Sequence, residues 1–526
     1  MMDRAVFASN GLVSLVEYQT CDDRALYDCW FDPEVKRGYN GFVPAQSFEE
    51  FQRGNQKRFE DFINGESEEL FFAMIRCKRT GELVGALGIA PGTPPEFEPD
   101  LSIRIFAPYR RQGYGSSAFA LAAKYATEVL HIEELHAGAY PDNIGSQTML
   151  GRCGFVPLAP CPPEKHYLTG EDVIQMDYIY RPMTTVHIPL GERAYDVHIG
   201  PGLLAQAGAL IAEALRPTRV LLVADSNVAK YDYITLVRES LEAQGITCPG
   251  FIFQAGEASK SLYTYEKILE ACTAFSLYSG DALIALGGGV AGDLTGFAAA
   301  TYRRGVPFVQ VPTTLLAAVD SSVGGKTGVN LPAGKNLAGA FWQPSLVVTD
   351  TSTFATLPPE EYANGMAECL KHGVLFDEAL FASLEHGGPV TAEQVARNVE
   401  LKRACVLADE RDTGRRRLLN LGHTLGHAIE QASGYAVPHG AAVGLGMAMM
   451  ARVFCPAIEA RLYAALERNH LPTRCEYSVQ ELFSALEQDK KRTGKDITIV
   501  VPLEIGRCEL RTIPIEELKR LLEERL

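Results

Sequence analysis

Apolar and polar positions change rhythm along the chain, and the change predicts its organisation. Up to about residue 180, aromatic and charged residues interleave, with Tyr18, Trp30, Phe31, Phe42, Phe51, Phe59, Phe62, Phe71 and Phe72 among polar neighbours. Leu101 to Phe106 alternates with period two and is stopped by Ala107-Pro108, which predicts a strand. An apolar helix is expected from Ala118 to Val129, and another alternating run closes this part at Val173 to Tyr180. Two further alternating runs, Thr185 to Leu190 and Tyr195 to Ile199, are split by Gly191-Glu192-Arg193 and read as a hairpin that opens a new domain. The boundary is therefore expected near residue 183. Beyond it, Val220 to Ala224, Ala282 to Leu286 and Phe308 to Val311 are unbroken apolar runs that end in polar or glycine turns. Such strands are buried on both faces, as in a parallel sheet with a ligand at its carboxyl edge. After about residue 355 strands stop and helical periodicity dominates. The expected order is an α/β domain over 1–183, a parallel-sheet α/β part over 184–355 and an all-helical part over 356–526.

Composition narrows the class. With 526 residues the chain is long enough for roughly two to four domains. A hydrophobic share of 47% against 22% charged excludes a disordered, collagen-like or coiled-coil protein. The net charge of −16 argues against nucleic acid as a partner, although local basic clusters can still hold small anions. Twelve cysteines are scattered without a Cys-x-x-Cys pair, which fits small buried hydrophobes in a reducing compartment. No apolar segment follows a basic one at the N-terminus, so no signal peptide is expected. Gln431 to Ala451 carries no formal charge, but Pro438, His439 and four glycines interrupt it, and no membrane span is expected. The reading is a cytoplasmic protein.

In the first domain, Arg110-Arg111-Gln112-Gly113-Tyr114-Gly115-Ser116 separates the Leu101 strand from the apolar helix. A glycine loop opening a helix presents unpaired N–H groups that suit a pyrophosphate. Pro141-Asp142-Asn143, a short helix from Ser146 to Gly151 and Cys153-Gly154-Phe155 follow in order. Over about residues 6 to 180 this arrangement resembles the GNAT acetyltransferase family. The resemblance implies acetyl-CoA held by Arg111, Gly113, Tyr114, Gly115 and Ser116. Tyr140 and Asn143 stand where acid–base residues are candidates, and either is equally compatible with a structural role. The other reading is a GNAT fold kept as a regulatory or docking module.

The second region concentrates more chemistry. Gly287-Gly288-Gly289-Val290-Ala291-Gly292-Asp293 follows an apolar strand and precedes a helix, a place for a dinucleotide pyrophosphate without the usual Gly-x-Gly-x-x-Gly spacing. Gly324-Gly325-Lys326 and Lys335-Asn336 add cations and amides suited to anionic oxygens. Asp320 occupies the position where a phosphate loop has its first glycine. His423 and His427 are spaced i and i+4, His439 sits in Pro438-His439-Gly440, and Glu368 lies in Ala367-Glu368-Cys369. Two histidines and a carboxylate make a catalytic zinc set with positions left open.

These segments resemble the 3-dehydroquinate synthase family over about residues 184 to 526. The likeness runs through Gly256 to Ser261, the Gly287 to Asp293 loop, Arg303-Arg304-Gly305, Pro312 to Lys326 and Gly334 to Leu337. It continues through Glu368 to Lys371, Asn420 to His427, Pro438-His439-Gly440 and Asp489-Lys490-Lys491, all in the family's order. It implies Zn²⁺ (or Co²⁺) on Glu368, His423 and His439, with His427 beside the metal but not a ligand. It implies NAD against Asp225, Asn227, Glu257, Lys260, Gly288, Gly289, Asp293, Thr313 and Thr314, completed by Thr356, Leu357 and Glu361. A sugar phosphate acid would meet Arg304, Lys326, Lys335, Asn336, Arg416, Asn420, Lys490 and Lys491, with Asp320, Lys371, Lys402 and His427 at the reacting hydroxyls. Arg304 is expected to reach a neighbouring subunit, which implies a homodimer. The implied reaction converts 3-deoxy-D-arabino-heptulosonate 7-phosphate to 3-dehydroquinate and phosphate, with a hydride passed to NAD⁺ and returned. One departure is Ala441, where the family often has Glu, a difference expected to tune the metal rather than the reaction. The rivals are another sugar phosphate cyclase and a metal-dependent polyol dehydrogenase, in which Lys326, Asn336 and Arg416 would have no anion to bind.

Overall fold

The computed structural model describes residues 4–37, 47–64, 69–91, 99–166, 170–490 and 496–526. The chain forms two compact units, Met1–Met183 and Thr184–Leu526. Among the described residues, the first unit is built on an eight-stranded sheet. Its order is Val6–Ser9, Val13–Val16, Phe71–Cys77, Leu83–Ala90, Asp100–Ile105, Leu135–Ala139, Met176–Tyr180 and Val156–Pro160. Both faces are covered. Leu15, Ala73, Ile75 and Leu87 pack with Ala118, Phe119 and Ala122 of the helix Tyr114–Glu128, while Val16, Phe72, Met74 and Ala86 pack with Leu26, Trp30 and Phe51. That is why Phe71 to Ile75 is an unbroken apolar run. Asp100–Ile105 and Leu135–Ala139 run parallel and pair only at Asp100 and His136, so the two strands part beyond that point.

The second unit carries a seven-stranded sheet in the order Thr184–Ile188, Tyr195–Gly200, Leu346–Asp350, Phe308–Pro312, Ala282–Gly287, Val220–Asp225 and Gly250–Phe253. The first two strands form the expected antiparallel hairpin, and every other neighbouring pair is parallel. Asp225, Gly287 and Pro312 close adjacent strands at the same edge, so the turns that follow them are brought together. A separate hairpin, Lys326–Leu331 with Gly334–Phe341, comes between the sheet strands Phe308–Pro312 and Leu346–Asp350.

The remainder is mainly helical, but the all-helical expectation needs correction. A two-stranded hairpin, Asp496–Glu504 with Arg507–Pro514, lies near the end of the chain. Ile497, Ile499, Val501 and Ile513 pack with Ile429, Met449 and Leu482, whereas Val500 and Ile505 belong to the neighbouring core around Leu370 and Val374. Because both faces are buried, the period-two signal is blurred into Ile499-Val500-Val501.

Three helices, Pro359–Phe376, His423–Ala432 and His439–Phe454, cross closely. Gly440 lets the first and third approach, because a Cβ there would stand 2.4 Å from the Asn364 carbonyl oxygen. No helix among the described residues is long and apolar enough to cross a membrane. All twelve cysteines are free, and most are buried.

Candidate active site

The close helix crossing gathers Glu368, His423 and His439. One potential ligand atom from each lies within 4.8 Å of the others. Glu368 is fully buried; Lys371, one turn on, pairs with its Oε2. Among the described residues its Oε1 has no hydrogen-bond partner, and it faces His439 Nε2 at 3.5 Å and His423 Nε2 at 3.8 Å. The other ring nitrogens meet acceptors: His423 Nδ1 faces the Leu421 carbonyl at 3.2 Å, and His439 Nδ1 faces Glu430 Oε2 at 3.3 Å. Those acceptors hold a proton on each Nδ1 and turn each Nε2 toward Glu368. Burial pulls the His439 imidazole down, but Glu368 and Glu430 outweigh it and raise it to about 9; a divalent cation of the zinc type, which this donor set fits, would displace the proton on its Nε2. His427 lies next to this set, its ring 5.5 Å from His423 and 6.1 Å from His439, and shares a second grouping of potential ligand atoms with Glu430 and His439.

Behind the carboxylate lies a second charged group. Asp320 is carried on a π-helical turn, Ala317–Ser321, where an extra residue per turn re-aims the chain. Lys402 Nζ donates to Asp320 Oδ1 at 2.7 Å and also to its carbonyl oxygen. Burial alone would raise the Asp320 carboxyl, but Lys402 and Lys371 outweigh it and hold the group well below the usual carboxylate range. The same competition, settled by Lys371 and the histidines, keeps Glu368 ionised. His372 Nδ1 contacts Asn398 Oδ1 at 3.0 Å, and burial pulls this imidazole down to about 4, so it is neutral.

At the sheet edge, Gly288 caps the helix Gly289–Thr301 without a side-chain partner, leaving first-turn N–H groups open. Asp225 accepts from the Asn227 and Val228 N–H groups at 2.8 and 3.1 Å. The Thr313 N–H donates to the Gly287 carbonyl at 3.0 Å, and Thr314 lies against Gly288. Lys260, almost fully buried, bonds Asp293 and Asn336 at 2.5 Å each, which links the glycine turn to the hairpin. Glu257 accepts from Asn330 at 2.7 Å. The Thr356 hydroxyl meets Tyr233 at 2.7 Å, with Leu357 and Glu361 following at the start of the Glu368 helix. These groups frame a cradle for an anionic, hydroxyl-rich cofactor.

The predicted substrate residues are distributed less evenly. Lys326 pairs with Asp412, and Lys335 with Glu430 at 3.1 Å. Arg416 is buried and donates to the Gly324 and Glu410 carbonyls at 3.2 and 2.7 Å, so much of its guanidinium serves the backbone. Asn420 ends the 3₁₀ turn Arg415–Asn420, just before the His423 helix. Arg304 is exposed, adopts φ +67° and makes no hydrogen bond or ion pair among the described residues. The side chain of Lys490 and the whole of Lys491 lie outside the described residues.

In the first unit, Gly113 opens the helix Tyr114–Glu128 with φ +83°, a conformation glycine adopts freely. Arg111 also takes a positive φ, and a Cβ on Gly115 would touch Ile105 and Met149 at 3.5 Å. The Tyr114 side chain is buried with its hydroxyl 3.4 Å from Cys77 Sγ, and the Ser116 carbonyl accepts from Cys153 Sγ at 3.3 Å. Asn143 caps the helix Ile144–Arg152 by accepting from Ser146 at 3.1 Å, a structural role. The Tyr140 hydroxyl donates to Glu164 at 3.3 Å; burial and that carboxylate push the phenol up, so it stays protonated.

Glu430, Asp412, His372 and Asn398 were not singled out by sequence reasoning. Glu430 shares a helix face with His427, three residues earlier, the one local signal available.

Comparison with known proteins adds three family matches. Residues 250–364 match the 3-dehydroquinate synthase N-terminal family, 365–492 the 3-dehydroquinate synthase C-terminal family, and 13–156 the acetyltransferase (GNAT) domain. A 3-dehydroquinate synthase from Caulobacter vibrioides is 46% identical over 345 residues, 61% of this chain and 93% of the relative. One from Rhodospirillum rubrum is 47% identical over 346 residues, with 61% and 90% covered. Among solved structures, a 2-deoxy-scyllo-inosose synthase complexed with carbaglucose-6-phosphate, NAD⁺ and Co²⁺ aligns at TM-score 0.58 and 25% identity, covering 65% of this chain and all of that one. A 2-epi-5-epi-valiolone synthase from Streptomyces hygroscopicus, with NAD⁺ and Zn²⁺ bound, aligns at 0.57 and 30%, covering 63% and 95%.

Proposed function

The chain belongs to the 3-dehydroquinate synthase family through its second unit, and from that premise we propose that this unit converts 3-deoxy-D-arabino-heptulosonate 7-phosphate to 3-dehydroquinate and phosphate. The observation that carries the reading is the meeting of Glu368, His423 and His439 beside the buried Lys371 and the Asp320–Lys402 pair. Zn²⁺ or Co²⁺ on the first three would polarise neighbouring sugar hydroxyls, and NAD⁺ in the cradle from Asp225 to Glu361 would accept a hydride and give it back.

The chain's own groups do the rest. Lys326, Lys335, Asn336, Arg416, Asn420 and the Lys490-Lys491 pair hold the phosphate and carboxylate, supplying the local positive charge that a chain of net charge −16 otherwise lacks. Asp320, ionised and anchored by Lys402, accepts a hydrogen bond from a substrate hydroxyl and so orients it; Lys371 keeps Glu368 charged; His427 orients the substrate beside the metal. Arg304, exposed and unpaired, extends into the site of a second subunit, so the working unit is a homodimer. An identity of 44–47% to 3-dehydroquinate synthases, against 25–30% to the two other cyclases, favours this substrate over theirs. The GNAT domain binds acetyl-CoA through backbone N–H groups of the Arg111 to Ser116 loop and acetylates an amine. The free cysteines fit a cytoplasmic setting.

Incubation with the heptulosonate phosphate, NAD⁺ and Zn²⁺ tests the reading. Phosphate is expected to appear while absorbance at the NADH band stays flat, because each hydride is returned within the cycle. NADH growing in step with product would mean a dehydrogenase.

A further inference from the structure

Glu430 is almost fully buried, and its two carboxylate oxygens serve different parts of the site. Oε2 faces Nδ1 of His439 at 3.3 Å, and Oε1 accepts from Lys335 Nζ at 3.1 Å. Lys335 comes from the hairpin strand Gly334–Phe341, and its ammonium also lies 4.3 Å from the centre of the Tyr435 ring. One carboxylate thus joins a metal-facing imidazole to a lysine of the anion-binding hairpin. Ala441, two residues beyond His439, has no carboxylate to share the task.

We propose that Glu430 is a positioning residue that couples the metal site to the hairpin: it fixes the His439 ring with Nε2 toward Glu368 and sets the donor strength of that nitrogen according to whether Lys335 is docked. The inference rests on the metal set proposed above. A carboxylate accepting from Nδ1–H draws positive charge away from the ring and makes Nε2 a stronger donor. An ammonium on the other oxygen takes up part of that negative charge and weakens the effect. Loss of Glu430 and loss of Lys335 therefore change metal affinity in opposite directions. By reciprocity, an anion that draws Lys335 away favours the metal, and the metal favours the anion.

The test is titration of the metal-free full-length protein with Co²⁺, followed by visible absorption, in Glu430→Ala, Glu430→Gln, Lys335→Met and the Gln–Met double variant. Glu430→Ala is expected to weaken Co²⁺ binding on the order of 10- to 100-fold and to shift the ligand-field bands. Glu430→Gln, which still offers an acceptor, weakens it less. Lys335→Met tightens binding by about twofold or more when Glu430 is present and leaves it unchanged when Gln is, the signature of a coupled pair. NAD⁺ affinity within about twofold of wild type reports an intact fold, and the Gln and Met variants carry the test if the Ala variant is insoluble. Unchanged Co²⁺ affinity and spectrum in the Glu430 variants, or equal weakening by Lys335→Met in both backgrounds, would overturn the proposal. His423→Ala is measured alongside: Co²⁺ binding retained there would refute the metal set itself, a failure of the proposed function rather than of the coupling alone.

Discussion

The three proposed ligands are held with unequal firmness. Glu368 is fully buried and paired with Lys371, whereas the His439 side chain is 34% exposed and depends on Glu430 for its orientation. His423 lies between, on the first turn of its helix with Nδ1 at the Leu421 carbonyl. His423→Ala is expected to lose both bound metal and phosphate release, since the two remaining groups make a poor site; elemental analysis checks it. His427→Ala should retain its metal and lose at least about tenfold in turnover, the scale on which a positioned acid–base group acts. Metal lost in His427→Ala but kept in His439→Ala would exchange the two roles. The residues proposed as ligands stand out in the sequence because each lies in a short motif with glycine or apolar neighbours. Glu430's contact with Lys335 does not, because it joins residues 95 positions apart and no local pattern encodes it.

At the scale of elements, backbone proximity decides geometry. Gly440→Ala would place a Cβ 2.4 Å from the Asn364 carbonyl oxygen, so the His439 helix must move off the Glu368 helix. A loss of about 1–3 kcal/mol in urea unfolding is expected, together with reduced metal content. A second prediction concerns the pairing of Asp100 with His136 in the first unit. Burial, reinforced by Asp177, pushes the Asp100 carboxyl up to about 6. Burial works the other way on His136, but hydrogen bonds with Glu134 and Asp177 outweigh it and raise the imidazole. Both groups therefore hold their protons more tightly folded than unfolded. Their contribution is complete below about pH 4, the unfolded Asp value, and is lost as pH rises through 6 and then beyond about 6.5. Calorimetry should show this unit melting lower at pH 8 than at pH 5, with a smaller drop in Asp100→Asn. The parallel strands were readable from their unbroken apolar runs and polar ends. The hairpin of Asp496–Glu504 and Arg507–Pro514 was not, since it is wedged between two cores and does not alternate cleanly.

At the scale of the whole molecule, two compact units carry two chemistries on one chain. Gly113→Val should abolish acetyl-CoA binding, because φ +83° is strained for a β-branched residue, while phosphate release stays within about twofold. Calorimetric titration with acetyl-CoA and a phosphate assay on the same preparation check both halves; altered phosphate release would reveal communication between the units. The gathering of Glu368, His423 and His439 from three separate helices has a further consequence. An ion held by all three is a cross-link that exists only in the folded chain, so its binding free energy adds to the stability of the second unit by mass action. Free metal at about 100 times its dissociation constant would contribute about 2.7 kcal/mol. The melting temperature of that unit then becomes a readout of metal supply, and a cell short of zinc would hold a less stable protein as well as an inactive one.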